Sequence, residues 1–263
     1  MKNGMLQYGL PVLSMSLFFV FWHNAIDWFA VPAYLLPGPL DVAKTLWIGY
    51  AGGRFWPHLG ITLYEMVVGY AIGCTAALVL GALVAESRII DRLVYPFIIS
   101  LQSMPKAALA PLLIVWFGFG PASKIVMVAL ICFFPTFVNS VTGLRAANQD
   151  LLDLYRACRA SRLSIFFNVK LPTAASSIFA GLQISVVLAL IGAVVAEFIA
   201  AQKGLGYLIQ SSTLNFDVAT MFAAIISLAF VGIVATTVIR VIQAKVVFWD
   251  GGRPRASTQA ETA

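Results

Sequence analysis

The stretch SIFAGLQISVVLALIGAVVAEFIA, residues Ser177–Ala200, contains a single charged side chain, Glu197. A helix needs roughly 20 consecutive apolar residues to cross the hydrocarbon core of a bilayer. The apolar run is continuous, whereas the strands of a membrane barrel alternate apolar and polar residues. The stretch therefore predicts a helix that spans a membrane.

The rest of the chain has the same character. Its 263 residues are 60% hydrophobic and 11% charged, whereas a soluble domain has about 25% charged residues. We predict an all-α membrane protein with one membrane domain over residues 1–250 and a small, polar, disordered tail over residues 251–263. Six transmembrane helices are predicted, at about Leu10–Val31, Leu59–Ala85, Leu93–Gly118, Lys124–Leu144, Ser177–Ala200 and Ala219–Val247.

The distribution of basic residues predicts the orientation of these helices. With the N-terminus in the cytoplasm, 13 of the 17 Lys and Arg residues fall in inside segments, and Lys44, Arg54, Lys124 and Lys203 fall outside. Short cytoplasmic segments of membrane proteins are enriched in Lys and Arg. Both termini are therefore predicted to be cytoplasmic. The net charge of +6 reflects this topology, and no nucleic-acid partner is expected.

One polar segment between two spans is too long for a tight turn. It reads DLLDLYRACRASRLSIFFNVKLP over residues 150–172, with apolar residues recurring between arginines. Such a pattern predicts short amphipathic helix. Because the segment is placed in the cytoplasm, we expect it to dock on a partner outside the bilayer.

Two predicted spans carry a stripe of small residues and a carboxylate. Small residues at intervals of four allow membrane helices to approach closely. The stripes are Gly69, Gly73, Ala77 and Gly81 beside Glu65, and Gly181, Ser185, Ala189 and Ala193 beside Glu197. Both glutamates are expected to face packed protein or a cavity, because a carboxylate in lipid is costly. A pathway role and a structural hydrogen bond both remain open for each of them.

The third predicted span is interrupted by Pro105 and Pro111. Proline removes a helical hydrogen bond, and irregular backbone at membrane depth is tolerated where it is buried in protein or lines a water-filled space. The candidates for lining or gating a pathway are Gln102, Ser103, Met104 and Lys106. A simple proline kink at the inner interface remains the alternative.

The 150–172 segment resembles the cytoplasmic coupling-loop signature of permease subunits of bacterial binding-protein-dependent ATP-binding-cassette (ABC) importers. That signature is Glu-Ala-Ala, three residues, Gly, nine residues, Ile, one residue, Leu-Pro. Here Asp153 stands for the glutamate, Arg159 for the glycine and Val169 for the isoleucine, and Leu171-Pro172 matches outright. Leu154 and Tyr155 replace the two alanines.

Other segments resemble the nitrate, sulfonate and taurine branch of the same family. They are Leu36–Val42, Pro105–Gly120, Val195–Phe198 and Gly204–Tyr207, so that the resemblance covers roughly residues 36–250. It implies the type I importer permease fold and a coupling loop at about residues 147–172. The implied ATPase-coupling residues are Asp153, Leu154, Tyr155, Arg156, Ala157, Cys158, Arg159, Ala160, Ser161, Arg162 and Pro172.

The resemblance also implies the assembly and its location. A second copy of this chain, two cytoplasmic ATP-binding-cassette subunits and a periplasmic solute-binding protein are the expected partners in a bacterial inner membrane. The sequence lacks the Gly-x-x-x-x-Gly-Lys-Ser/Thr phosphate loop. ATP and Mg are therefore expected on the partner ATPase, and this chain is expected to be non-catalytic, without a metal or cofactor of its own.

The departures from the signature carry their own expectations. Arginine favours helix more than glycine does, so Arg159 predicts a bulkier, more basic and more continuously helical loop. The side chains of Leu151, Leu154, Tyr155 and Cys158 are expected to enter the ATPase groove. Arg156, Arg159 and Arg162 are expected to face acidic groups on its rim, although inside-positive topology explains them equally well.

An ion-coupled secondary transporter that uses Glu65 and Glu197 is the main alternative. It leaves the long cytoplasmic segment unexplained. A membrane enzyme would need clustered catalytic groups, and the sequence has only two histidines, His23 and His58. The resemblance implies a small solute, such as an organic anion, a sulfonate or nitrate, and does not select one.

Overall fold

The structure is a computed structural model that describes residues 34–250, together with 13–14, 16–17, 20–26, 28–29 and 32. The predicted first span, Leu10–Val31, falls only partly within these residues, which are helical at 13–14, 16–17, 20–26 and 28. The predicted disordered tail, 251–263, lies outside them.

The described chain from residue 39 onward is built of helices. In chain order they are α1 (Pro39–Ala51), α2 (Trp56–Glu86), α3 (Arg88–Gln102), α4 (Ala110–Phe117), α5 (Pro121–Arg145), α6 (Gln149–Ala157), α7 (Arg162–Ile165), α8 (Leu171–Ala200), α9 (Leu205–Leu214) and α10 (Val218–Val246). A 3-10 turn over Lys106–Leu109 precedes α4, and a π-helical turn over Phe166–Lys170 joins α7 to α8. This confirms the predicted all-helical class for the described residues.

Among the described residues, four helical segments are long and apolar enough to cross a membrane. They are α2, α5, α10 and the run Arg162–Ala200, which contains α7 and α8. The 39 residues of that run extend about 58 Å at 1.5 Å per residue. Because a hydrocarbon core is about 30 Å thick, the run is long enough to carry its first turns well outside the bilayer.

The third predicted span is broken, as its prolines indicated. Helix α3 and the segment Lys106–Phe117 meet at an angle of 92°, and together they form a fifth candidate span or a re-entrant loop. The break lies at Pro105, whereas Pro111 lies in the first turn of α4, where proline is tolerated. The Lys106 ammonium donates to the backbone oxygen of Gln102 over 2.9 Å and so satisfies a carbonyl at the end of α3.

The chain divides into two compact units. Among the described residues, unit 1 takes those within Met1–Tyr64 and Ala193–Val231, and unit 2 takes those within Glu65–Gly192 and Gly232–Ala263. In unit 1, Phe55 is buried after α1 and contacts Gly49, where a Cβ would lie 2.8 Å from the Phe55 ring. The Trp56 indole donates to the backbone oxygen of Tyr50 over 3.1 Å, which fixes the turn from α1 into α2.

In unit 2, α5 packs between α2 and α8 through the two predicted stripes of small residues. A Cβ at Gly73 would lie 2.3 Å from the backbone oxygen of Ala129, and one at Gly181 would lie 3.1 Å from that of Pro135. These backbones therefore approach as closely as glycine permits. Both predicted stripes are helix interfaces in the structure.

A buried chain of polar side chains joins the same three helices. The Cys74 thiol lies 3.3 Å from the Thr136 hydroxyl, which lies 2.8 Å from the Ser185 hydroxyl. The Cys132 thiol donates to the backbone oxygen of Ser185 over 3.2 Å. Hydrogen bonds of this kind hold membrane helices in register where lipid offers no competing partner.

Candidate coupling loop and buried carboxylates

The candidate coupling loop begins with a short capped helix. The Asn148 side-chain oxygen accepts from the backbone N–H of Asp150 over 2.8 Å, which is a standard N-cap for α6. Leu152 is buried in the loop with Ala147 and Val169, while Tyr155 and Ile165 pack against this cluster, partly buried. The loop therefore has a small apolar core of its own.

The expectation of a more continuous helix through Arg159 is wrong. Helix α6 ends at Ala157, and Arg159 adopts a positive φ of 55°. The Ala160 N–H donates to the Tyr155 oxygen over 3.0 Å, and the Arg159 N–H donates to the Arg156 oxygen over 2.9 Å. This pair of bonds is a Schellman motif, in which Arg159 occupies the position usually taken by glycine.

The physical reason is that helix propensity is a small term. Arginine and glycine differ by less than about 1 kcal/mol in a helix interior, and tertiary packing overrides such differences. Here the reversal brings Ile165 and Val169 back onto Leu152, and the Ser161 hydroxyl caps α7 by accepting from the Ser164 N–H over 3.2 Å. The loop is thus two short helices joined by a turn.

Of the four residues predicted to enter the ATPase groove, three lie on the exposed face of α6 and one, Tyr155, does not. Leu151, Leu154 and Cys158 are exposed, and Leu154 is 58% accessible. Tyr155 instead turns partly inward onto the loop core. Leu163 and Phe167 extend the exposed apolar surface beyond the turn, at 70% and 58% accessibility.

The charged loop residues do not share one surface. The Asp153 carboxylate pairs with Arg156 within the same helix, over 2.7 Å and largely in solvent. Arg156 and Arg162 line a cavity behind the loop, together with the half-buried Ala160, whereas Arg159 lies outside that lining. Ala157 is the exposed last residue of α6, and Pro172 is the second residue of α8, directly after the π-helical turn.

The predicted gate candidates cluster at the break in the third span. Gln102, Ser103 and Met104 are exposed on the described chain, with Met104 at 45%. The ammonium of Lys106 lies 4.5 Å from the centre of the Phe134 ring, a cation–π contact. Lys106 is therefore held by the end of α3 and by α5.

Glu65 lies fully buried in unit 2, with its Oε1 3.2 Å from the ammonium of Lys124. Lys124, predicted to be an outer surface charge, is 7% exposed along its side chain. The pair joins α2 to α5, and removal of either partner would leave the other charge buried without compensation. The carboxylate-bearing stripe therefore faces protein, as its position beside Gly69 indicated.

Glu197 in unit 1 holds three segments together. Its Oε1 accepts from the Thr62 hydroxyl and its Oε2 accepts from the Gly206 N–H, both over 2.6 Å, and the side chain is fully buried. The Thr62 oxygen in turn accepts from the Leu205 N–H over 2.8 Å. The carboxylate thus satisfies donors at the N-terminus of α9 and on α2.

We expect Glu197→Leu to lower the free energy of unfolding by about 3 kcal/mol, because two buried donors lose their acceptor. Glu197→Gln should retain most of the stability, since its carbonyl can accept from Gly206 while its amide donates to the Thr62 oxygen. Unfolding in mixed micelles measures both variants. Equal losses would contradict this hydrogen-bonding role, and a stable Glu197→Gln variant without transport would assign the carboxylate to the pathway.

Beside Glu197 lies a contact that the sequence analysis missed. Nδ1 of His58 lies 3.1 Å from the backbone nitrogen of Gly204 and 3.0 Å from its oxygen, and the His58 ring stacks on Tyr207 with 6.0 Å between ring centres. Gly204 has a φ of 128°, a conformation open essentially to glycine. The Gly204-Leu-Gly-Tyr207 motif was the available signal, although a partner 146 positions away is not visible from local pattern.

Comparison with known proteins identifies the family. Residues 73–248 match the family described as the inner membrane component of binding-protein-dependent transport systems. The chain belongs to this family. The importer permease predicted from the coupling-loop resemblance is thereby confirmed, and the members that it resembles are non-catalytic permease subunits.

Individual relatives cover nearly the whole permease. The riboflavin transport system permease protein RibX of Chloroflexus aurantiacus is 34% identical over 92% of this chain and 90% of its own length. The putative aliphatic sulfonates transport permease protein SsuC of Bacillus subtilis is 30% identical, over 94% and 91%. The permease is thus similar to proteins named for chemically different solutes.

The fold of the permease also matches a solved structure. The MetNI methionine ABC transporter, in inward-facing conformations, superimposes with a TM-score of 0.65 over 72% of this chain and 94% of that chain. At 18% identity this likeness shows the fold alone, which is that of the type I importer permeases.

Proposed function

We propose that this permease forms the membrane pathway of an ATP-driven importer, as a homodimer in a bacterial inner membrane with six spans per chain. The excess of Lys and Arg in the predicted inside segments supports cytoplasmic termini. The family description, an inner membrane component, supports the location. Residues 1–250 then form a single permease domain, followed by a cytoplasmic tail.

Two cytoplasmic ATPase subunits, which bind ATP and Mg, and a periplasmic solute-binding protein complete the proposed machine. The observation that carries the proposal is the form of the loop at residues 147–172. It presents exposed apolar side chains, Leu151, Leu154 and Cys158, on a short helix with its own core. An exposed apolar helix face is suited to a groove on a partner.

Ion pairs within unit 2 give this loop a firm base. The Lys170 ammonium lies 2.5 Å from the Glu86 carboxylate at the end of α2, and the Arg145 guanidinium lies 2.6 Å from the Asp91 carboxylate on α3. Movement of α6 would therefore displace the ends of the membrane helices as a rigid body. ATP shifts the permease between two conformational states because it binds more tightly to the assembly in one of them.

The solute is a small molecule delivered by the binding protein, and we propose an organic anion, such as a sulfonate, or nitrate. The similarity to the SsuC permease supports a sulfonate. The similarity to RibX extends the proposed range to aromatic heterocycles. Selectivity between these classes is assigned mainly to the binding protein.

The ion-coupled alternative is not adopted. Its candidate ion sites were Glu65 and Glu197, and each carboxylate is buried against defined partners, Lys124 for the first and Thr62 with Gly206 for the second. These contacts support roles in helix packing. The family assignment also favours a permease driven by a separate ATPase.

We expect Leu154→Glu to reduce ATP-dependent uptake at least about tenfold. A charge placed on an exposed apolar anchor would enter the ATPase groove without a partner, and loss of a hot-spot anchor costs about 2 kcal/mol or more. Uptake in proteoliposomes and co-purification of the ATPase measure the effect. Both should fall together.

The matched control is Leu214→Glu, which changes the same residue type at 75% accessibility at the end of α9. It lies outside the proposed coupling surface, so ATPase co-purification should be retained. Normal uptake and normal co-purification in the Leu154→Glu variant would contradict the coupling role of α6.

A further inference from the structure

Behind the coupling loop lies a cavity of about 750 Å³ within unit 2. This size falls in the range of small-ligand sites, about 300–1,000 Å³. Its lining comes from the end of α2, the start of α3, the end of α5 and both loop helices. The lining residues with charge are Arg88, Arg145, Arg156, Arg162, Lys170, Glu86 and Asp91.

The cavity carries an excess of positive charge. Five cationic side chains face two carboxylates. The carboxylates are already engaged, Asp91 with Arg145 and Glu86 with Lys170. The positive charges of Arg88 and Arg162 therefore exceed the carboxylates of the lining. Arg156 pairs with Asp153, a residue outside the lining. Such a site attracts an anion.

Two of the cations are held in position before any ligand arrives. Arg145 is fixed between the Asp91 carboxylate and the Tyr95 ring, whose centre lies 5.4 Å from the guanidinium carbon. Lys170 is fixed by Glu86. The first residues of α3 and α6, Arg88 and Gln149, also line the cavity. The positive dipole ends of these two helices oppose the negative dipole ends of α2 and α5, which line it too.

The position of the cavity indicates which anion it takes. It lies at the C-terminal ends of α2 and α5, two helices of membrane-spanning length, and such ends lie at the level of lipid headgroups. Apolar side chains, Val84, Leu144 and Ile165, line the same space beside the cations. A ligand with a phosphate and an adjoining apolar part matches both surfaces.

We propose that this cavity binds the phosphate group of an anionic phospholipid headgroup. The guanidinium groups of Arg88 and Arg162 donate to the phosphate oxygens, in the planar geometry for which arginine is suited. Because Arg88 begins α3 and Arg162 begins α7, the bound phosphate ties the loop to the membrane helices. This lipid site does not depend on the transport role. It requires only that the chain is embedded in a membrane.

The test uses the purified full-length permease in detergent, with short-chain phosphatidylglycerol and phosphatidylcholine as probes, and native mass spectrometry as the measurement. Phosphatidylglycerol should bind saturably and at least about tenfold more tightly than zwitterionic phosphatidylcholine, since the net charge differs. Arg88→Gln should weaken phosphatidylglycerol binding about tenfold, because one charge-assisted contact is lost.

The matched control is Arg92→Gln, on the same helix, exposed and outside the cavity lining. It should leave binding unchanged. Equal weakening by Arg92→Gln would show general attraction of lipid to basic surface and overturn the site. Equal binding of both lipids would overturn it as well. Displacement of phosphatidylglycerol by millimolar inorganic phosphate that itself binds would assign the cavity to a soluble phosphate and overturn the lipid proposal.

Discussion

Gly204→Ala is expected to lower the free energy of unfolding by about 3–5 kcal/mol, which is at the severe end of the effects of single substitutions. The φ of 128° at this position is strained for any residue with a Cβ. The added methyl would also lie 2.3 Å from the carboxylate carbon of Glu197. The backbone strain and the steric clash would both disrupt the hydrogen bonds that fix the start of α9.

The measurement is unfolding in mixed micelles, with Gly60→Ala as the control. Gly60 lies in α2 within the same unit, and a Cβ there has no described heavy atom within 4 Å. The control should therefore match or slightly exceed the parent in stability, because alanine favours helix over glycine by about 1 kcal/mol. A Gly204→Ala variant as stable as its control would contradict the structure of this turn.

Gly73→Ala is expected to cost about 3 kcal/mol, through overpacking of the interface between α2 and α5. Its Cβ would lie 2.3 Å from the oxygen and 2.8 Å from the Cα of Ala129. Both neighbours are backbone atoms, which cannot rotate away, so the two helices would have to separate. Transport is expected to fall with stability, because α5 also holds the polar contacts to α8.

Gly232→Ala provides the comparison in the same unit. Its nearest neighbour is the end of the Leu190 side chain, at 3.3 Å from the added Cβ, which can move by a few tenths of an ångström. This variant should lose less than about 1 kcal/mol. Equal thermal shifts for the two variants would refute the close approach at Gly73.

Membrane helices were predictable where the sequence carries a regular signal. The stripe at Gly69, Gly73 and Gly81 predicted a helix interface, and the prolines of the third span predicted its interruption, which the structure shows as a 92° bend. Burial of Glu65 and Glu197 followed from the cost of a carboxylate in lipid. Each of these features depends on one residue type with a strong preference: glycine permits close helix contact, proline interrupts a helix, and a carboxylate avoids lipid.

Features set by distant contacts were not predictable. Arg159 is helix-favouring by propensity, yet it occupies a left-handed turn because Ile165 and Val169 must return to Leu152. Lys124 looked like a surface charge because nothing nearby in the sequence reveals Glu65 as its partner. The contact of His58 with Gly204 joins residues 146 positions apart, beyond the reach of periodicity or motif spacing.

The central claim is that transport is driven by a separate ATPase acting through the 147–172 loop. The most direct measurement is solute uptake by proteoliposomes that contain the permease, its ATPase and its binding protein, with ionophores present to remove ion gradients. The account predicts uptake that requires ATP, persists with ionophores and is lost in the Leu154→Glu variant. Uptake that proceeds without ATP and stops when ion gradients are removed would contradict it.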